Sequence, residues 1–186
     1  MSSQFATSAN TSGKTLEEIH TLKEKLDGLE AQLEAINTRT RIHSTLLAID
    51  LTKFDVSDVY EGRVYLASKT ETMFNLQSAN AACQAAGGYL LEIDDNDENQ
   101  YTFDFAKRLG GSDHFALGGN DIKDEGQFVY FNSKKPVPDH VTWMRGRPNN
   151  VGGKEHCMEI WPSQGGLNDI PCNTKAKFVC EVPLRF

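Results

Sequence analysis

The sequence predicts an α+β domain preceded by an α-helical stalk, on three observations. Between Thr15 and about Ile49 apolar residues recur at alternating steps of three and four, with Gly28 the single glycine and no proline. Two later stretches, Asn75–Ala86 and Asn96–Leu109, read as helices running into glycine pairs. From His114 onward the chain breaks into short apolar runs separated by Gly, Pro and Asn, the pattern of strands and long loops.

In the stalk, Ile19, Leu26 and Leu33 occupy one heptad position, a, and Leu22, Leu29 and Ile36 the matching d position, with Thr40, His43 and Leu47 continuing more weakly. Glu18 (g) faces Lys23 (e) of the next heptad and Lys25 (g) faces Glu30 (e). Such pairs attract between parallel strands, so the segment predicts a parallel coiled coil. About 35 residues at ~1.5 Å each make a rod roughly 50 Å long. Leu at a and Ile at d lean away from a dimer and fit a trimer. The competing reading, an amphipathic helix folded back on the domain, fits the sustained heptads and paired charges less well.

The chain divides by pattern into a disordered segment 1–14, the stalk 15–50, a connector 51–59 and a globular domain 60–186. Tyr65–Lys69 reads as a strand. The helix from Asn96 carries acids near its start and Lys107-Arg108 near its end, before Gly110-Gly111, which complements the helix dipole.

Composition excludes several functions. With 19 Lys plus Arg against 26 Asp plus Glu, the net charge is −7. An acidic surface argues against nucleic acid, whose phosphates demand clustered cations. No uncharged apolar run is long enough for a membrane span. The four cysteines, Cys83, Cys157, Cys172 and Cys180, contain no C-x-x-C pair and read as two disulfides, implying a secreted or extracellular protein. Residues Met1–Lys14 lack the apolar core of a leader peptide, so export proceeds through a leader that this stretch does not contain or by another route. No acid, base and nucleophile assemble, so an enzyme is not expected.

The informative stretch is Arg147–Asp169, RPNNVGGKEHCMEIWPSQGGLND. Asn149, Glu155, Asn168 and Asp169 offer two carboxylates and two amide oxygens, hard donors that suit Ca²⁺. A cis bond before Pro148 would turn the loop so that these oxygens converge.

From Tyr60 to Val182 the chain resembles the C-type lectin-like domain family. The resemblance rests on Cys83 late in the first domain helix, FALGG at Phe115–Gly119, EGQF at Glu125–Phe128 and Trp143. It continues through Pro148-Asn149-Asn150, Glu155-His156-Cys157, LNDIPC at Leu167–Cys172 and FVCEVP at Phe178–Pro183. It implies two helices, short antiparallel sheets and a long-loop region, with disulfides Cys83–Cys180 and Cys157–Cys172. It also implies a Ca²⁺ site on Asn149, Glu155, Asn168 and Asp169, on which a sugar completes the coordination with two hydroxyls. Two further carbohydrate-binding candidates come from the residues themselves: Arg147, able to donate to a sugar hydroxyl, and Trp161, which precedes Pro162 in the loop region and is able to stack on a sugar ring, core burial being its default reading. An auxiliary Ca²⁺ would take Asp121, Glu125, Asn150 and Glu155, with His156 standing where an acid is often found. A neck before such a domain is similar to that of the collectins, so glycans and further copies of the same chain are the expected partners. The runner-up is a calcium-independent domain that binds a protein, surface or glycan through a degenerate metal site.

Two positions depart from the family pattern. The tripeptide usually EPN or QPD is Arg147-Pro148-Asn149, and the usual WND is Leu167-Asn168-Asp169. A unit positive charge ~5 Å from a divalent cation costs about 2 kcal/mol in a water-like dielectric and about 7 at an effective dielectric of 20. Arg147 therefore either swings clear, leaving four protein ligands, or pairs with Glu155 or Asp169 in the ion's place.

Overall fold

The computed structural model describes residues 2–110 and 114–184, with the backbone alone over 2–14. The chain divides into two compact units, one within residues 1–44 and the other within 45–185.

The first unit is one helix, α1, which spans Ser2–Ala48 and so runs into the second unit. It takes in residues 2–14, which the sequence places in a disordered segment. That stretch has no proline, and a helix nucleated downstream extends through it at one hydrogen bond per residue. Leu16, Ile19, Leu22, Leu26, Leu29, Leu33 and Ile36 are 55–66% exposed, a stripe of large apolar side chains open to solvent. Thr40, the weak point of the heptad pattern, turns its hydroxyl back onto the Ile36 carbonyl at 2.9 Å.

Beyond the end of α1, the described residues of the second unit form two α-helices and nine strands. In chain order they are β1 (Phe54–Val56), β2 (Arg63–Ser68), β3 (Thr72–Met73), α2 (Leu76–Ala85), β4 (Tyr89–Leu90), α3 (Asn96–Leu109), β5 (Phe115–Asn120), β6 (Val129–Tyr130), β7 (Cys157–Trp161), β8 (Gly166–Ile170) and β9 (Lys175–Pro183). The principal strand order is β1-β2-β9-β5-β7-β8. β5 runs parallel to β9 and antiparallel to β7, and all six of its residues are buried. That explains why FALGG reads as a continuous small and apolar run. Leu91, Ile93, Phe105, Phe115, Leu117, Met158, Ile160 and Leu167 form one core.

Both helices begin on side-chain caps. Asn75 accepts from the Ser78 backbone N–H at 3.0 Å, and Asp95 from that of Glu98 at 2.8 Å. α3 keeps the predicted bounds, although Gly111 of its stop signal lies outside the described residues. After α2 the glycine pair has two separate tasks: Gly87 takes φ +90°, and a Cβ on Gly88 would lie 2.0 Å from the Glu181 carbonyl oxygen. The predicted connector is partly ordered into β1, whose three residues pair with β2. Both predicted disulfides are present, Cys83–Cys180 and Cys157–Cys172.

A buried charge cluster lies between β2, α3 and β9. Glu98 accepts from Arg63 Nη1 at 2.9 Å, Tyr65 Oη at 2.6 Å and the Asp94 backbone N–H at 2.7 Å. Glu181 accepts from Tyr89 Oη at 2.9 Å and sits 3.4 Å from Arg63 Nε, but its Oε2 is buried with no partner among the described residues. Burial, reinforced by the Glu98 charge, pushes the Glu181 carboxyl up to about 7. The folded state therefore holds a proton that the unfolded chain has already released above its ordinary value of 4.5. Stability should fall as pH rises through that window, by an order of about 3 kcal/mol. Urea unfolding at pH 5 and pH 8 measures the slope, and Glu181→Gln is expected to flatten it.

Candidate functional site

The site is built on the β7–β8 hairpin and the loop that precedes it. β7 and β8 pair from Cys157↔Ile170 to Trp161↔Gly166, and Cys157–Cys172 closes the end opposite the turn. The incoming loop is pinned to β8 by main-chain bonds. Trp143 bridges Leu167, and the Met144 N–H donates to the Leu167 carbonyl at 3.0 Å. The Arg147 N–H then donates to the Met144 carbonyl at 2.9 Å, and the Arg147–Pro148 peptide is cis. Leu167, standing where the family pattern has Trp, is fully buried in the core.

Asp169 organises the loop. Its Oδ2 accepts from the backbone N–H groups of Asn149 at 2.9 Å and Asn150 at 2.6 Å. Asn150, in the left-handed region at φ 40°, accepts from the Glu155 N–H through Oδ1 at 3.0 Å. Glu155 Oε2 in turn accepts from the Val151 N–H at 2.8 Å. Residues distant in sequence, 149–155 and 169, thus form one hydrogen-bonded unit. The Arg147 guanidinium reaches the Asn149 side-chain oxygen, the very donor the sequence assigns to a cation, rather than Glu155 or Asp169.

Two oxygens at this unit and next to it are left over. Asn168 Oδ1 and Asp169 Oδ1 belong to consecutive residues that are 3% and 0% exposed. Both atoms are buried and take no hydrogen bond from the described residues. A buried acceptor without a donor costs roughly 1–3 kcal/mol. Beside the carboxylates of Glu155 and Asp169, the set fits a hard divalent cation, which oxygen donors satisfy at six to eight positions.

Behind Asn168 lies a pair that the sequence reading missed. Glu159, on β7 directly opposite Asn168 and 0% exposed, accepts from Asn168 Nδ2 at 2.8 Å through Oε1. Its Oε2 lies 2.7 Å from His114 Nδ1. Burial pushes the Glu159 carboxyl up, against the lowering supplied by Asn168 and His114. An acid inside the otherwise apolar run CMEIW was the available signal. Trp161 stacks at a tilt against His114, ring centroids 5.8 Å apart, and its Nε1 is buried without a partner among the described residues.

The auxiliary residues divide into two groups. Asp121, Glu125 and His156 converge, with the ligand atoms all within 4.8 Å of one another. His156 Nδ1 lies 3.1 Å from Asp121 Oδ1 and 3.3 Å from Glu125 Oε2, while Asp121 Oδ2 accepts from the Gly126 N–H. Asn150 and Glu155 instead bond to each other, within the Asp169 unit.

This strand order, paired disulfides and loop-on-hairpin site define a C-type lectin fold. The chain belongs to the Lectin C-type domain family, which matches residues 72–182. It is 35% identical to Collectin-11 of Bos taurus over 121 residues, 65% of this chain and 43% of that protein. It is 31% identical to Perlucin of Haliotis laevigata over 101 residues, 53% and 64% respectively. The chain thus spans less than two-thirds of either relative. Among solved structures, the C-type lectin CEL-I from Cucumaria echinata superposes with TM-score 0.60 at 19% identity, covering 73% of this chain and 99% of that one. The mouse scavenger receptor C-type lectin carbohydrate-recognition domain gives 0.57 at 22% identity, covering 68% and 94%. The family is one of lectins rather than enzymes. Among the described residues, no helix is long and apolar enough to cross a membrane.

Proposed function

We propose that this chain is a calcium-dependent carbohydrate-binding lectin, secreted and made multivalent by association through α1. The observation that carries the reading is the pair of buried oxygens without donors, Asn168 Oδ1 and Asp169 Oδ1, on a hairpin already laced to the loop of Asn149 and Glu155. Asn149, Glu155, Asn168 and Asp169 would hold the ion. Calcium, when bound, supplies a hard centre whose remaining positions accept sugar hydroxyl oxygens. Asp169 fixes the loop through two backbone N–H groups, so little ordering is left for ligand binding to drive. Arg147, at the rim, donates to Asn149 and stands ready to donate to a sugar hydroxyl or an acidic substituent instead. The two disulfides support an oxidising, extracellular setting. His156 Nδ1 already contacts both Asp121 and Glu125, so a second ion there would have to displace it.

A glycan array run with and without EDTA tests the reading. Binding to multivalent glycans should disappear on chelation, and Arg147→Glu should tighten calcium about tenfold, a gain of roughly 1.4 kcal/mol, and shift preference toward mannose-like sugars. The Arg147–Asn149 bond favours one second reading, a calcium-independent domain whose cation site is filled by its own arginine. Calcium titration by calorimetry separates the two: a wild type that gives no heat supports the second.

The exposed apolar stripe of α1 supports the multivalent part. A lone helix baring these residues gains little from propensity alone, and burial in a parallel bundle supplies the missing stabilisation. Leu29→Glu in the seam is expected to convert the oligomer to monomer in light scattering. It should also lower apparent affinity for a multivalent glycan at least about a hundredfold, while leaving the affinity for a monosaccharide unchanged.

A further inference from the structure

Resting on the cation reading above, we propose that Glu159 is a positioning residue for the site: its buried carboxylate holds the Asn168 amide with the oxygen turned toward the cation, and His114 holds the carboxylate.

An Asn side chain ends in two groups of nearly the same shape and opposite chemistry, one oxygen acceptor and one NH₂ donor. Turning Asn168 over would cost nothing sterically and would aim two N–H bonds at the cation. A neighbour that only accepts is needed to prevent this. A carboxylate oxygen is such a neighbour, and Glu159 is the cross-strand partner of Asn168 in the β7–β8 register. Its Oε1 takes the Asn168 Nδ2 at 2.8 Å, leaving Asn168 Oδ1 as the buried atom without a donor. The other carboxylate oxygen is occupied by His114 Nδ1 at 2.7 Å, so the acid itself cannot rotate without losing that bond. Nothing in packing calls for an acid here. Glu159 is fully buried between Met158 and Ile160, where a charge is costly and an apolar side chain would be favoured. The residue is explained by what it imposes on Asn168.

Calcium titration of purified full-length variants tests this, with thermal melts in calcium-free buffer as the fold control. Glu159→Gln offers a donor as readily as an acceptor and frees the amide to turn. Its calcium affinity should drop about tenfold or more, with a calcium-free melt equal to or above wild type. The double variant Glu159→Gln/Asn168→Asp reverses the polarity of the pair at constant charge. The new amide donates to the new carboxylate, which presents oxygen to the ion from either face, and affinity should return to within a few-fold of wild type. A structural role or a simple loss of charge would not give that rescue together with a melt no lower than wild type. Glu159→Gln binding calcium as wild type does, or a double variant no better than the single, overturns the proposal. Should Glu159→Gln fail to fold, His114→Ala carries the test through a several-fold loss of calcium affinity, and wild-type affinity there overturns it. Absence of calcium binding in the wild type is a different result, since it removes the cation reading itself.

Discussion

Asp169→Asn is expected to abolish calcium-dependent glycan binding. One Asp169 oxygen accepts two backbone N–H groups and the other is buried without a donor, so the side chain is needed as an acceptor on both sides. An amide satisfies only one side. If its oxygen keeps the Asn149 and Asn150 N–H groups, its NH₂ faces the proposed cation position. If it turns, the NH₂ meets those two donors and the loop is released. Hydrogen bonds to an ionised acceptor contribute about 1.5–3 kcal/mol each, and a loss of about 2.8 kcal/mol is already a hundredfold. Calorimetry should therefore show at least a hundredfold weaker calcium affinity and no chelator-sensitive sugar binding. Calcium affinity within twofold of wild type would remove Asp169 from the site. The effect should exceed that of Asn149→Ala, because Asn149 is exposed and already shares its oxygen with Arg147.

The second large effect concerns stability. Cys83–Cys180 joins α2 to the central strand β9 across 97 residues, whereas Cys157–Cys172 spans 15. The loop-closure account assigns about 4.7 kcal/mol to a loop near 100 residues and about 3 to one of 15. Both cysteines of the long pair are fully buried, so Cys83→Ala/Cys180→Ala also removes two sulfurs from the interior. That double variant is expected to lose about 4–5 kcal/mol, much of the stability of a domain this size. It should be largely unfolded at 37 °C by circular dichroism. Cys157→Ala/Cys172→Ala should remain folded and lose calcium affinity instead, because that pair closes the hairpin carrying Asn168 and Asp169. Equal melting temperatures for the two double variants would contradict this division.

The parts legible in the sequence are those with a period or a stop signal. α3 was found to the residue because Asp95 caps it and its charges follow the dipole. α2 was found within one residue at each end because Asn75 caps it and glycines stop it. β1, β3, β4 and β6 were not resolved individually, since two or three residues cannot display an alternation. The disulfide pairing came from family resemblance, spacing alone being compatible with three connectivities. At the site, the oxygen-bearing residues were visible as residue types, and the structure draws Asn149, Asn150, Glu155 and Asp169 into one network. Two features were hidden. Arg147 bonds to Asn149 rather than to an acid, a choice set by the loop's path. The Glu159–His114 contact joins β7 to a residue 45 positions earlier, and no local pattern announces it.

Asp169 divides its two oxygens between different tasks. The oxygen facing the loop is committed to Asn149 and Asn150 by protein atoms alone, independently of any ion. On the calcium reading proposed above, chelation is therefore expected to leave these two loop contacts in place. If the proposed calcium site holds, refilling it should then need no slow rebuilding of the loop, and stopped-flow calcium binding should show a single fast phase without a lag.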